Sequence, residues 1–229
     1  MQFKDVVGHQ KIKEKLINTI KENRVSHAQL FLGAEGSGKL ALAIAYAQYL
    51  SCTDKQVNDS CGICPSCVKF QKLAHPDLHF VFPVSTSKSI KKDPISDDYI
   101  SQWRDAILDN PYINQTRWYE LIDVENKQGI ISKNESYEIL KKLNLKTFES
   151  EYKIMIIWLP EKMNAFAANK LLKLIEEPPE KTLFLMVSEN TEQILQTILS
   201  RTQLIKIPKI DNESIKNALV EKLELPIEK

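Results

Sequence analysis

The run Gly33-Ala-Glu-Gly-Ser-Gly-Lys39 constrains this chain more than any other feature. It satisfies Gly-x-x-x-x-Gly-Lys, in which backbone N–H groups turn inward around phosphate oxygens. Glycine permits the turn and lysine neutralises the outer phosphates. The apolar residues 28–32 before it read as a short buried strand. The Ala- and Leu-rich run 40–50 after it reads as a helix, expected to be largely buried because it carries almost no charge. A strand, a glycine loop and a helix in that order open an α/β domain with a parallel sheet.

The rest of the chain continues the alternation. Residues 78–84 and 153–158 read as strands, and the unbroken apolar run of the latter suits a strand covered on both faces. Residues 163–177 read as a helix stopped by Pro178-Pro179. Residues 182–187 and 204–207 supply further strands, separated by a helical stretch at 192–199. Near the start, Ile12, Leu16, Ile17 and Ile20 recur at helical spacing within 9–23. Helices are therefore expected on both faces of the sheet.

Two stretches fit less well. Residues 85–130 are polar, with Trp103, Trp118 and Tyr119 scattered among charges, and read as an insertion containing a helix at 96–108. The tail opens with Asp211-Asn-Glu-Ser and continues through Ile215, Leu219 and Leu223. That pattern predicts the first helix of a second, helical domain, truncated here, so residues 1–208 and 209–229 are expected to belong to different domains.

The phosphate loop departs from an active nucleotide site at the next position. Leu40 stands where a Ser or Thr hydroxyl would hold Mg²⁺, and leucine cannot ligate a hard cation. Gly33, Gly36, Gly38 and Lys39 thus read as a loop kept for structure or metal-free anion binding, and ATP binding is not expected.

Cys52, Cys61, Cys64 and Cys67 are all the cysteines of the chain, spaced C-x8-C-x2-C-x2-C. Four thiolates so close can surround one Zn²⁺ tetrahedrally, with Gly62 and Pro65 helping the chain to turn. Two disulfides suit a reducing cytosol poorly, and no redox motif accompanies the cysteines to favour an iron–sulfur cluster. A structural zinc module at 51–68 is the favoured reading. His9, His27, His75 and His79 form no catalytic or metal pattern. The adjacent Glu176 and Glu177 point about 100° apart on a helix, which suits a solvated helix end better than a catalytic pair.

Composition narrows the partners. Thirty-one basic against 30 acidic residues leave a formal charge of +1, so tight non-specific nucleic-acid binding by the chain alone is not expected. Aromatic-basic patches are not evident in the sequence, which disfavours a stand-alone zinc-stabilised nucleic-acid-binding domain. The start is not a signal peptide and no apolar run reaches about 18 residues, so a cytoplasmic protein without membrane association is expected.

Several motifs occur collinearly: Val7-Gly8-His9-Gln10, the phosphate loop, the four cysteines and His75-Pro76-Asp77-Leu78. They continue with Ala168-Asn169 through Glu176-Glu177-Pro178 and with Ile198-Leu199-Ser200-Arg201. Through these residues the chain resembles the delta-prime subunits of the bacterial DNA polymerase III clamp loader, an AAA+ family. The resemblance implies an AAA+ P-loop domain, a zinc-binding module and the start of a helical lid. In that family motor subunits hydrolyse ATP, whereas delta-prime often does not, and the resemblance implies a rigid stator here.

Motor subunits carry an Asp-Glu pair eleven and ten residues before the asparagine matching Asn169, where this chain has Trp158 and Leu159. The aspartate would hold the Mg²⁺ shell and the glutamate would orient the attacking water. Glu161 is displaced by two residues from the glutamate position. A non-hydrolysing subunit is therefore expected; the alternative is an active gamma/tau-like motor subunit.

Ser200-Arg201-Thr202 stands where the family has Ser-Arg-Cys. The resemblance implies that Arg201, with Ser200, serves in trans as an arginine finger at a neighbour's ATP. A plain surface ion pair of Arg201 with a carboxylate is the other reading. The implied partners are the gamma/tau and delta subunits and, through the assembly, the sliding clamp and primed DNA.

Overall fold

Five short strands form one sheet in the computed structural model, which describes residues 1–87, 90, 92–124 and 128–223. The strands are β1 (Ala28–Leu32), β2 (Leu78–Val81), β3 (Lys153–Trp158), β4 (Thr182–Ser188) and β5 (Gln203–Lys206). Their order is β2-β3-β4-β1-β5, and every neighbouring pair is parallel. All five strand C-termini therefore share one edge, the edge at which open α/β sheets place their ligands.

The helices are α1 (Gln10–Lys21), α2 (Lys39–Ser51), α3 (Pro65–Gln71), α4 (Ile100–Asp109) and α5 (Gln115–Leu121). They continue with α6 (Lys133–Asn144), α7 (Ala165–Glu176), α8 (Gln196–Leu199) and α9 (Asn212–Leu223). Both β3 and β4 are buried at every position, as strands covered on two faces must be. Strand alternation divides their side chains between two cores. Phe31, Ile154, Ile156, Trp158 and Leu185 meet α1, α2 and the insertion. Leu30, Met155, Ile157 and Met186 meet Ile139 of α6 and Leu171 of α7. Every residue of α2 is buried, which matches its almost uncharged sequence.

The structure corrects several boundaries. The strand expected at 78–84 ends at Val81, just before Pro83, which has no N–H for the ladder. The helix expected from 163 starts at Ala165, because Met163 bridges Ile131 and the Asn164 side chain caps the helix by accepting from Ala167 N at 2.8 Å. Of the stretch 192–199 only Gln196–Leu199 is helical. Asn190 Oδ1 accepts from Glu192 N in a turn, and Leu195 has an extended ψ of 129°. The last strand lies at Gln203–Lys206, one residue earlier than expected. The cysteine stretch contains α3, which begins with Pro65 and is capped by Cys64, whose Sγ accepts from Cys67 N.

The insertion differs most. Its tryptophans, scattered among charges in the sequence, are core residues: Trp103 and Trp118 are fully buried. Trp103 stacks on Phe82 with centroids 4.2 Å apart and lies 5.1 Å from Trp158. Trp118 Nε1 donates to Pro83 O at 2.9 Å. Helices α5 and α6 are additions to the elements read from sequence. In α9, Ile215 and Leu219 are exposed, and the expected continuation beyond residue 223 lies outside the described residues.

Candidate functional site

The phosphate loop leaves β1 at the C-terminal edge of the sheet. Gly33 is there for lack of space: a Cβ would lie 2.5 Å from Ile207 O and 2.6 Å from Ser37 Oγ. Gly38 is there for conformation, with φ +76° in the region that penalises a side chain. It caps α2, whose first residue is Lys39. Gly33, Gly36, Gly38 and Lys39 thus come together as one loop closing onto a helix N-terminus, the arrangement that holds anions.

Lys39 is only 5% exposed and engages two partners. Its Nζ donates to Ala34 O at 3.0 Å and to Glu189 Oε1 at 3.0 Å. Glu189 follows β4, and its own N–H donates to Glu161 Oε1 at 3.0 Å. Burial holds the Glu161 carboxyl above the ordinary carboxylate range. Further contacts brace the loop. His9 Nε2 lies 2.7 Å from Ser37 O, and Asn114 Nδ2 donates to Glu35 Oε1 at 2.7 Å. The Tyr112 hydroxyl accepts from Val7 N at 2.9 Å, while its ring lies 3.0 Å from where a Gly38 Cβ would stand.

The three positions at which the resemblance implies metal-holding and water-orienting groups in motor subunits are apolar and buried. Leu40 is 3% exposed, Trp158 1% and Leu159 1%. Trp158 faces the aromatic core, and Leu159 adopts a left-handed conformation with φ +55°.

The four cysteines converge from the end of α2, the following loop and the start of α3. Their sulfurs all lie within 4.8 Å of one another, with Cys52–Cys61 at 3.6 Å and Cys61–Cys67 at 3.9 Å. Those separations bracket the roughly 3.8 Å expected between sulfurs at tetrahedral corners about 2.3 Å from a metal. All four are free thiols. Backbone N–H groups of Cys61, Cys64 and Cys67 point at the sulfurs of Cys52, Cys61 and Cys64 respectively. Burial raises the thiols of Cys52 and Cys67, whereas at Cys64 hydrogen bonds from Thr53 and Cys67 outweigh burial and bring the thiol down to about 6. The donor set fits a metal ion held as thiolates.

Arg201 lies away from this edge. It precedes β5, whose Gln203 is level with Gln29 near the start of β1. At about 3.3 Å per strand residue, Arg201 and the phosphate loop are on the order of 20 Å apart. Its Nη1 donates to Thr197 O at 3.1 Å and lies 3.2 Å from Ser200 Oγ. Its Nε meets Glu176 Oε1 at 2.8 Å. Glu176 and Glu177 are both exposed, as expected of a solvated helix end.

Sequence reasoning missed Glu189, Tyr112 and Asn114. A signal for Glu189 was available: a carboxylate immediately after an apolar strand, on the ligand edge of the sheet. It also missed an aromatic-basic surface, which the structure places on α6 and α7. Lys133 Nζ lies 5.7 Å from the Tyr137 ring centroid and 4.9 Å from that of Phe166, and Lys170 Nζ lies 5.8 Å from the latter.

A parallel sheet of this order, with a glycine–lysine loop after β1 and helices on both faces, defines a P-loop domain of the AAA+ class. The fold of a DNA polymerase III gamma subunit-related protein from Thermotoga maritima is similar, with TM-score 0.54 and 17% identity, covering 91% of this chain and 49% of that one. The RuvB Holliday junction branch migration motor of the same organism gives TM-score 0.51 at 13% identity, covering 99% and 55%. Residues 8–211 match the family described as DNA polymerase III, delta subunit, and the chain belongs to it.

The delta' subunit of DNA polymerase III from Bacillus subtilis is 29% identical over 211 residues, 92% of this chain and 51% of that protein. The tau subunit from the same organism is 27% identical over 230 residues, 99% of this chain and 33% of that protein. The chain thus spans about half the length of the first relative and a third of the second. Among the described residues, no helix is long and apolar enough to cross a membrane.

Proposed function

We propose that this chain is a non-hydrolysing, delta-prime-type subunit of the clamp loader, a stator that helps load the sliding clamp on primed DNA. The observation that carries this reading is the trio Leu40, Trp158 and Leu159, apolar and at most 3% exposed where a motor subunit needs a metal ligand and a water-orienting carboxylate. Partners are then the gamma/tau motor and delta subunits, with clamp and primed DNA engaged through the assembly. Helix α9 begins the lid domain that follows residue 208, and Zn²⁺ is the metal that four thiolates at these spacings favour.

Arg201, with Ser200, serves the ATP of a neighbouring subunit in trans. Its position at the sheet edge away from its own phosphate loop supports that role. Its ion pair with Glu176 is half exposed and therefore exchangeable. The motor reading draws on the 27% identity with a tau subunit along 99% of this chain. Reconstitution separates the two. Motor subunits, clamp and primed DNA are assayed for ATP hydrolysis and clamp loading with and without the full-length polypeptide. Dependence of both on a chain that has no turnover of its own is expected, and loading that proceeds equally well without it overturns the reading. The Lys133–Phe166 surface calls for a salt titration of primed-DNA binding by the chain alone, for which weak binding is expected at physiological salt.

A further inference from the structure

At the C-terminal edge of this sheet two of the chain's own side chains, Tyr112 and Glu189, meet the phosphate loop. A nucleotide seated on a phosphate loop needs two things: a free lysine for its phosphates and an open path for its nucleoside along the adjoining groove. Neither is present. Lys39 is neutralised by the Glu189 carboxylate and also donates to the Ala34 carbonyl, both at 3.0 Å. On the other side of Tyr112 lies a cavity of about 910 Å³, bounded by residues 4–8, residues 110–112 and α9. That volume would accommodate a nucleoside. Tyr112 stands at its wall, with its ring against Gly38 and its hydroxyl on the Val7 N–H.

The segment that delivers Tyr112 is held at both ends. Asn110 Oδ1 accepts from Tyr112 N at 3.0 Å, which tightens the turn through Pro111. Ile113 is buried in the core, and Asn114 reaches Glu35 of the loop itself.

We propose that Tyr112 and Glu189 keep nucleotide off the phosphate loop, the tyrosine by covering Gly38 and standing between the loop and the cavity, the glutamate by holding Lys39 in place of phosphate. The phosphate loop is thereby kept folded without a ligand, which suits a subunit that must stay rigid while its neighbours cycle. The inference rests on the non-hydrolysing reading but uses different residues. Loss of turnover is assigned to Leu40, Trp158 and Leu159, and loss of binding to Tyr112 and Glu189. The two can fail separately.

The test measures binding of a fluorescent ADP analogue to the full-length chain by anisotropy, with and without Mg²⁺. Wild type is compared with Tyr112→Ala, Glu189→Gln and the double variant. If the closed arrangement dominates by ten- to a hundredfold, opening it should tighten apparent binding by about the same factor. The double variant is expected to bind at least about tenfold more tightly than wild type, independently of Mg²⁺ and without turnover. Equal affinity of wild type and double variant, whether both weak or both tight, overturns the inference. Turnover by the wild-type chain would instead overturn the non-hydrolysing reading.

Thermal melts check folding. Should Tyr112→Ala fail to fold, Tyr112→Phe with Glu189→Gln replaces it, keeping the ring and removing the Val7 bond. A gain of at least about threefold is then expected, and no gain overturns the inference. Hydrogen exchange at the Val7 amide gives an independent reading. It should be faster in Tyr112→Phe than in wild type, and equal rates show that the tyrosine is not seated.

Discussion

Arg201 Nε lies 2.8 Å from Glu176 Oε1, joining the turn before β5 to the last residue of α7 on the edge of the sheet away from the phosphate loop. Both side chains are about two-fifths exposed, so the pair contributes at most about 1 kcal/mol to stability. Arg201→Ala in the full-length subunit should therefore fold, keep its metal and join the complex. Arginine fingers are typically worth about 10³–10⁵ in rate, and other steps of a loading cycle can limit it, so a loss of at least about tenfold in clamp- and DNA-stimulated hydrolysis is expected. Lysine should not restore full activity, because one ammonium cannot reproduce the guanidinium fork. Glu176→Gln removes the competing carboxylate and should leave hydrolysis at or above wild type. An alanine variant that assembles and supports undiminished hydrolysis would reduce Arg201 to a surface residue.

The isolated chain should hydrolyse ATP no faster than its Lys39→Ala variant. Leu40, Trp158 and Leu159 offer no oxygen to a metal or to water. The assay is phosphate release with and without Mg²⁺. Magnesium-dependent turnover abolished by Lys39→Ala would restore the motor reading.

Protein purified under reducing conditions should contain one zinc per chain by elemental analysis. Cys64→Ser removes a sulfur that both belongs to the cluster and caps α3, so it should lower metal content and thermal stability together. Well under one zinc in the wild type would remove the metal reading and leave four free thiols.

Where periodicity and burial coincide, the sequence was legible. The strands at 28–32 and 153–158 are buried apolar runs and appear at those positions. The four cysteines converge as their spacing required. The insertion was harder because its core contacts come singly. In α4 only Trp103, Ala106 and Ile107 are buried, a stripe at i, i+3 and i+4 diluted by exposed charges. Helix α5 has seven residues and a single buried side chain, too little for a pattern. Helix α6 hides its core face behind polar letters, since its buried residues include Glu135 and Ser136. Glu189 and Tyr112 could be placed only by tertiary structure, because they meet Lys39 and Val7 across 150 and 105 residues.

Trp118 tests whether the insertion belongs to the core. It is fully buried, lies 5.0 Å from Phe82 edge-on, and donates to Pro83 O. Trp118→Ala should cost about 3–5 kcal/mol from the cavity and lost contacts, with the carbonyl's partner lost in addition. The urea midpoint should fall accordingly. An unchanged midpoint would mean that residues 85–130 fold apart from the sheet.

Glu135 makes stability depend on pH. It sits 1% exposed in the first turn of α6, where its Oε2 accepts from Ser96 N at 2.6 Å. Ser96 in turn exchanges hydrogen bonds with the Phe82 backbone, so this carboxyl ties α6 through the insertion to the end of β2. Burial pushes it up from 4.5 to about 7, against the opposing pull of the Ser96 hydrogen bonds and Lys142, with Asp97 adding to the rise. The folded state thus prefers the neutral acid. Its contribution is fully present below about 4.5 and disappears as pH rises through about 7. The full swing is on the order of 3 kcal/mol. His79 works in the opposite sense. Burial first, then Lys142 and Lys153, hold it down at about 4, so its contribution is present above 6.5 and lost as pH falls towards 4. Wild-type melting alone therefore mixes two trends, and the difference between wild type and Glu135→Gln isolates one. Glutamine keeps an oxygen for Ser96 N and never ionises. The two proteins should melt together near pH 4.5, and the variant should be more stable by several degrees at pH 8. Parallel melting curves across that range would show that Glu135 ionises in the folded protein without cost.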